Sequence, residues 1–427
     1  MSDSNGSLER VVVIGQGYVG LPLAIRAVEQ GHDVVGFDLA VDRIAELAAG
    51  TSYVEDITHE RVQTALATGR YLPSADPEDL KGFDLAVISV PTPLREGTPD
   101  LSYIESSAHQ LGEHLERGSC VILESTTYPG TTEELVAPIL ETASGLRSGI
   151  DFHLGYSPER IDPGNATWTF ENTPKVVSGI DAASLGRVQG FYDTLVDTTV
   201  PVRSPREAEL TKLLENTFRH VNIALINELA MFARDLGIDI WEAIDAAETK
   251  PFGFMPFRPG PGVGGHCLPI DPSYLSWKVK QSLGQTFRFV ELANEVNEHM
   301  PGYVITRLVA ALNRQEFAVK GRRILVAGVA YKRNTGDDRE SPSRKVIALL
   351  HQLEADVVVC DPHVNPERSH ASDGATWVDL SADEVRRADA VIVLSDHDAF
   401  DLAMIGREGR YVLDTRRCVQ GPNVEYL

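Results

Sequence analysis

Short β-branched runs alternate with helical patterns at both ends of this chain, and the middle is almost entirely helical in period. RVVVIG at 10–15 suits a buried parallel strand. LPLAIRAVEQGH at 21–32 follows as an amphipathic helix closed by Gly31, and HDVVGFD at 32–38 as a second strand ending at Asp38. Further strands are predicted in DLAVISVPTP (84–93, ending at Thr92), SCVILESTTYPGTT (119–132, running to Ser125, Thr126 and Thr127) and FHLGYSPER (152–160). The longest uninterrupted helical pattern is 205–236, where Pro205 suits a helix start and Gly237 a stop. At about 1.5 Å per residue it would run roughly 45 Å. IDIWEAIDAAE and the stretches 271–280 and 285–312 are again helical. From Lys320 the strand–helix alternation restarts, with strands in RRILVAG, DVVVCDP (356–362), ADAVIVLSDH (388–397) and RYVLDTR (410–416). The expected fold is α/β: two Rossmann-like doubly wound domains, residues 1–204 and 316–427, joined by a long central helix and an α-helical middle domain, 205–315.

GQGYVG changes the picture from fold to ligand. The Gly15, Gly17, Gly20 pattern follows a strand and opens a helix, and Asp38 ends the next strand 18 residues after the last glycine. Gly15 permits the tight turn, Gly17 lets the backbone approach a pyrophosphate at the helix N-terminus, and Gly20 lets helix and strand pack closely. Tyr18 and Val19 fill the same turn and count with the glycines as cofactor-binding positions. Asp38 would accept from the adenosine ribose hydroxyls and repel a 2′-phosphate, which favours NAD over NADP. Arg43 could reach the same ribose. Thr92, Thr126 and Glu159 each fall at a strand's carboxyl end, where open α/β sheets bind ligands; singly, each could equally be turn or capping chemistry.

The stretch 252–272, FGFMPFRPGPGVGGHCLPIDP, holds five glycines and five prolines in 21 residues, yet also three Phe, a Met, a Leu and an Ile. That composition is a shaped loop rather than a flexible linker. His266, Cys267 and Asp271 at its end can do chemistry; the plain alternative for Cys267 is an inert buried thiol. Lys212 and Asn216, four apart, share one face of the long helix, either solvated or jointly polarising a substrate oxygen. Lys332 and Arg339 lie in the loop after the first strand of the last domain, as pyrophosphate ligands or as ordinary surface charges.

Composition narrows the partners. Net charge is −23, from 62 acidic against 39 basic side chains, which argues against nucleic acid or an anionic membrane. No run of about 18 apolar residues is present, and the polar first ten residues are unlike a secretory signal. The four cysteines, at 120, 267, 360 and 418, have no metal-like spacing and are too few for a disulfide framework. A reduced, cytoplasmic protein without a metal is expected.

Taken in order, GQGYVGLPLA, PTP, ESTTYPGTT, YSPER, ELTKLLENTFR, GPGVGGHCLPIDP and GVAYKRNTGDDRESPS resemble one family over nearly the whole chain, the UDP-glucose/GDP-mannose dehydrogenases. The resemblance implies two successive NAD-dependent oxidations at C6 of a nucleotide sugar, alcohol to carboxylate, without release of the aldehyde. It implies that Cys267 adds to the aldehyde as a thiohemiacetal and that hydride loss gives a thioester that water hydrolyses. Lys212 and Asn216 look like the oxyanion-stabilising groups, Asp271 like the group that orients water and Lys212, and Thr126 with Glu159 like the pair managing a catalytic water. Lys332 resembles the substrate-holding lysine, Arg339 the arginine that reaches the cofactor, and Arg258 a nucleotide contact in cis or across a subunit boundary. Glu159, Arg160, Lys212, Asn216 and Gly264 complete the implied substrate site.

GGHCLPIDPSYL with GFMPF looks closer to the UDP-N-acetylglucosamine 6-dehydrogenase type than to the UDP-glucose or UDP-N-acetylmannosamine types. A UDP-sugar substrate and a homodimer through the long helix are expected. A two-electron hydroxyacid dehydrogenase would need no nucleophilic cysteine, and a nucleotide-binding scaffold or sensor would need none of the Cys267, Lys212, Asn216 and Asp271 set.

Overall fold

The computed structural model describes residues 8–54, 56–95, 97–161, 165, 167–265, 268–369 and 374–427. The chain divides into two compact units, Met1–Glu215 with Trp277–Leu283, and Asn216–Ser276 with Gly284–Leu427.

The first unit is built on an eight-stranded sheet. Its strands are β1 (Arg10–Ile14), β2 (Asp33–Phe37), β3 (Tyr71–Ser74), β4 (Leu85–Ile88), β7 (Cys120–Leu123), β8 (His153–Tyr156), β9 (Lys175–Gly179) and β10 (Thr199–Pro201), with β5 (Leu94–Arg95) and β6 (Thr98–Pro99) forming a separate small hairpin. Spatial order is β10-β9-β8-β7-β4-β1-β2-β3. All neighbours pair in parallel except β8 with β9, which are antiparallel. Val11, Val12 and Val13 are fully buried because helices cover both faces of the sheet. The helices are α1 (Gly20–Glu29), α2 (Val41–Ala48), α3 (His59–Ala67), α4 (Ser102–His114), α5 (Ala137–Ser144) and α6 (Ala182–Leu195). The strand order reverses between β1 and β4, which places the ligand crevice beyond their carboxyl ends.

Three of these strands stop earlier than the residue pattern predicts. β4 ends at Ile88, after which Ser89 makes the last ladder bond to Ile14 O; Pro91 and Pro93 have no N–H to extend it, so Thr92 lies in the following loop. β7 ends at Leu123, because Ser125 turns its hydroxyl back onto the Val90 backbone instead. β8 ends at Tyr156, and Pro158 rules out a longer ladder. Thr126 and Glu159 therefore stand on loops just past the sheet.

The helix α7 runs unbroken over Pro205–Asp235. Gly237, at φ 70°, ends it, with its N–H on Arg234 O and that of Ile238 on Ala233 O. It is followed by α8 (Ile240–Glu248), α9 (Asp271–Leu283) and α10 (Arg288–Arg314). The second unit carries a six-stranded, wholly parallel sheet. Its strands are β11 (Arg323–Ala327), β12 (Asp356–Cys360), β13 (Thr376–Trp377), β14 (Ala390–Val393), β15 (Val412–Asp414) and β16 (Val424–Tyr426), in the order β13-β12-β11-β14-β15-β16. The helices α11 (Pro342–Gln352), α12 (Ala382–Arg387) and α13 (Leu402–Glu408) belong to the same unit. Among the described residues no helix is long and apolar enough to cross a membrane.

Candidate active site

The turn after β1 has the geometry that a dinucleotide needs. Gly15 takes φ 91°, and a Cβ there would stand 2.3 Å from Ser89 O. A Cβ on Gly20 would lie 1.8 Å from Gly15 O, so helix and turn can touch only without a side chain. Gly17 differs: a Cβ there meets nothing within 4 Å. The protein's own packing does not require glycine at that position, and the space above it is open. Asp38 accepts the Gln16 N–H and the Ala40 N–H at 2.9 Å each and pairs with Arg43 at 2.8 Å. The Arg43 guanidinium sits over the Tyr53 ring, whose hydroxyl bonds Gln16 O. Arg43 thus holds the acid in place rather than replacing it. Tyr18 packs on the core of this unit, and Val19 stands at the N-terminus of α1. These residues fit an NAD adenosine and pyrophosphate, with carboxylate oxygens of Asp38 at the rim.

A second group gathers at the carboxyl ends of β7 and β8. Glu159 is 8% exposed. One carboxylate oxygen accepts the Arg160 and Ile161 N–H groups at 2.6 and 2.5 Å, and the other accepts from Lys175 Nζ at 3.0 Å. Burial works to raise its pKa, but the Lys175 ammonium and these hydrogen bonds outweigh it and hold the group below the usual carboxylate range. Lys212, on α7, donates to the Glu159 carbonyl at 2.5 Å. Arg160 turns elsewhere, to Glu215 at 2.7 Å and Pro174 O at 2.6 Å. Thr126 is half-buried in the loop that follows β7.

Three residues of this group carry no signal in the sequence pattern. Glu124 and Lys175 form a fully buried ion pair that includes Glu159. Glu209, also buried, accepts from Gly130 N and from both Thr132 N and Oγ1, tying α7 to the turn beyond Thr126. Its burial pushes its pKa up to about 7. The Glu124–Lys175 pair and the Glu209 contacts each span more than 50 residues of chain, which no local period reveals.

In the second unit Asn216 Nδ2 donates to Asp271 Oδ2 at 2.5 Å, and Asp271 is 3% exposed. The glycine loop is pinned closely. A Cβ on Gly264 would stand 2.8 Å from Tyr331 Cβ and 2.9 Å from Glu340 O, and one on Gly265 would meet the Tyr331 ring. Gly260 N–H is held by Asn227, which itself bonds Asn297. Arg258 pairs with Asp245 and Glu248 on α8 at 2.5 and 2.6 Å. Arg339 pairs with Asp337 at 2.7 Å. Lys332 lies on the loop between β11 and α11, beside Tyr331. Cys267 and His266 lie outside the described residues. Of the other thiols, Cys120 and Cys360 are pushed up to about 12 by burial, and burial raises Cys418 as well. None of these three is a ready nucleophile.

Comparison with known proteins places these features. Three family models match in succession: the UDP-glucose/GDP-mannose dehydrogenase family NAD binding domain at residues 9–196, its central domain at 206–299 and its UDP binding domain at 325–421. The UDP-N-acetyl-D-mannosamine dehydrogenase of Pyrococcus horikoshii is 35% identical over 424 residues, covering 98% of each chain. The UDP-N-acetyl-D-glucosamine 6-dehydrogenase of Pseudomonas aeruginosa is 38% identical over 371 residues, 86% of each. The solved UDP-D-ManNAc dehydrogenase structure from Pyrococcus horikoshii superposes with a TM-score of 0.89 at 34% identity, covering 98% of each chain.

Proposed function

This chain belongs to the UDP-glucose/GDP-mannose dehydrogenase family and is an NAD-dependent nucleotide-sugar dehydrogenase; from that premise we propose that it oxidises the C6 alcohol of UDP-N-acetylglucosamine to the carboxylate. The observation that carries the choice of sugar is the 38% identity to a UDP-N-acetyl-D-glucosamine 6-dehydrogenase, together with GFMPF and GGHCLPIDPSYL around Cys267. The mannosamine epimer is the second reading, favoured by the relative that matches from end to end.

NAD, when bound, supplies the hydride acceptor for both oxidations. The turn at Gly15, Gly17, Tyr18, Val19 and Gly20, with Asp38 and Arg43, is assigned to hold its adenosine and pyrophosphate, while Thr92, Thr126 and Arg339 line the rest of its path. Cys267 is the nucleophile: its sulfur adds to the C6 aldehyde, and the resulting thiohemiacetal is oxidised to a thioester. Lys212 and Asn216, one turn apart on α7, donate to the oxygen on which charge develops. The Asn216–Asp271 bond supports this role, since one Nδ2 hydrogen fixes the amide on the carboxylate and the same nitrogen carries a second hydrogen for the substrate oxygen. Glu159, held ionised, takes the proton of the water that attacks the thioester, with Thr126 positioning that water. Arg160, Arg258, Gly264 and Lys332 are assigned to the UDP-sugar. The domains that divide this work are residues 1–204, 205–315 and 316–427.

The assembly is a homodimer through α7. Leu214, Phe218, Leu225, Leu229, Phe232 and Leu236 recur at helical spacing along α7 and the residue beyond it, each more than 40% exposed. Such a stripe is unfavourable in water unless a second copy covers it. Light scattering of Leu225→Glu is expected to read a monomer; an unchanged dimer would remove this interface.

A panel of UDP- and GDP-sugars, followed by NADH absorbance, tests the activity. UDP-N-acetylglucosamine is expected to yield two NADH per sugar, with kcat/KM about 100-fold above UDP-glucose. A higher kcat/KM for UDP-N-acetylmannosamine would replace the first reading by the second. Cys267→Ser is expected to abolish acid formation while leaving NAD affinity intact, and net turnover by that variant would end the covalent route.

A further inference from the structure

The buried charges behind Glu159 are arranged in a way that a loop anchor alone does not need. β9 runs antiparallel to β8, so its first residue, Lys175, lies at the carboxyl end of β8 with Glu124 and Glu159. Lys175 Nζ donates to both carboxylates, and the side chains of Glu124, Lys175 and Glu159 are 0, 4 and 10% exposed. One ammonium between two carboxylates leaves a buried net charge of about −1 when both are ionised, an arrangement that is costly in a low-dielectric interior. Of the other groups facing the trio, only the Lys212 ammonium offsets part of that charge, from beside the Glu159 carbonyl. The Tyr192 hydroxyl of α6 is 3.4 Å from Glu124, Lys212 of α7 is engaged with the Glu159 carbonyl, and the Arg160 guanidinium is turned to Glu215. The rings of Phe170 and Tyr192 flank the ammonium.

We propose that Glu124 and Lys175 are positioning residues for water activation, forming with Glu159 one buried unit that takes up a single proton from the attacking water. The proposal rests on the reading of Glu159 as the base for thioester hydrolysis. In that step the water oxygen forms a bond to the acyl carbon and the C–S bond breaks. The bonding electron pair leaves on the Cys267 sulfur, and one water proton moves to Glu159. Neutral Glu159 then releases Lys175, whose ion pair passes wholly to Glu124. The charge of the trio goes from about −1 to zero, which offsets part of the hold that Lys175 and the backbone N–H groups keep on the ionised form of Glu159. The unequal environments keep Glu159 as the ionised acceptor before the water attacks. Burial pushes Glu124 up to about 7 despite the ammonium, whereas on Glu159 the ammonium and backbone N–H groups prevail over burial. Protons enter and leave such a pair as one system.

The pH dependence of kcat for NADH formation, with intact-protein mass to detect trapped acyl-enzyme, tests the unit. Glu124→Gln neutralises the trio, so the acid limb is expected to move down by about one pH unit, with a slower plateau. Lys175→Met leaves two unbalanced carboxylates, so the limb is expected to move up by about one unit. Lys175→Arg keeps the charge and is expected to restore the wild-type limb. A purely structural role would lower activity in these variants without moving the limb in opposite directions. If Lys175→Met does not fold, Glu124→Gln and Lys175→Arg still decide the matter, and an unmoved limb in Glu124→Gln overturns the unit. Glu159→Gln separates the underlying reading. Accumulated acyl-enzyme there, beside an unmoved limb in Glu124→Gln, overturns the unit alone; wild-type turnover by Glu159→Gln overturns the base assignment and the unit with it.

Discussion

After β1 and after β11 the backbone follows the same path. Gly15 and Gly328 take φ of 91° and 86°. Their N–H groups donate to Phe37 O and Cys360 O, the last carbonyls of the neighbouring strands, at 2.8 and 2.9 Å. The next N–H, of Gln16 or Val329, reaches the aspartate that follows that strand, Asp38 or Asp361, at 2.9 and 2.8 Å. From there the two turns diverge. The Asp38 side chain is 11% exposed, with Arg43 alongside. The Asp361 side chain is fully buried, bonded to Ala330 N, His363 N, Val364 N and His397 Nε2. His397 in turn accepts Asn334 N–H at 3.0 Å. One aspartate keeps an exposed edge; the other is consumed in shaping the loop that carries Lys332. Where the first turn has Gly17 under open space, the second has the buried Ala330. The same supersecondary turn therefore makes a cofactor site or a scaffold, depending on how many of the acid's lone pairs the protein itself uses.

Substitutions can break this contrast. The largest effect is expected from Asp361→Ala, which strips two β11-turn amides and a buried histidine of their acceptor. It should destabilise the second unit by about 3 kcal/mol by calorimetry, with NAD affinity unchanged. Asp38→Ala should do the reverse, raising the NAD Kd by about 10- to 100-fold in titration calorimetry with a loss of stability nearer 1 kcal/mol. An unchanged Kd would remove the cofactor assignment. Gly17→Ala sharpens the point, since its Cβ meets no protein atom. Stability should stay within about 0.5 kcal/mol while NAD affinity falls about 10-fold.

Acid supplies the smallest test. Burial works to raise the Asp361 pKa, but His397 and the backbone amides overcome it and leave the group below its ordinary 3.8. A depressed carboxylate contributes stability that is complete above its unfolded pKa and lost as pH falls through the folded one. Acid unfolding of the second unit should therefore be less steep below about pH 4 in Asp361→Asn than in the wild-type chain. Equal slopes would show that Asp361 is not a source of the acid lability.

Legibility followed range along the chain. RVVVI, DVVVC and AVIV read as central parallel strands because they are buried on both faces. Gly15 and Gly20 are legible because the tight turn and the close helix contact follow β1 at a fixed spacing. β3 reads YLPS, with a proline that hides an edge strand, and β9 reads KVVSG, whose lysine looks like a surface charge. Lys175 becomes a buried ion only because β9 reverses direction, a fact of topology 51 residues from its partner Glu124. The Arg258 pairs with Asp245 and Glu248 likewise depend on how the loop returns to α8, not on the residues beside Arg258.

The close approach of Gly264 and Gly265 to Tyr331 has a mechanical consequence. With no Cβ between them, the strip of backbone leading to the thiol and the strip bearing the Lys332 ammonium are wedged together and share one set of permitted displacements. A displacement of the loop that holds Tyr331 and Lys332 would therefore be felt at Gly264 and Gly265, so the two strips move together or not at all.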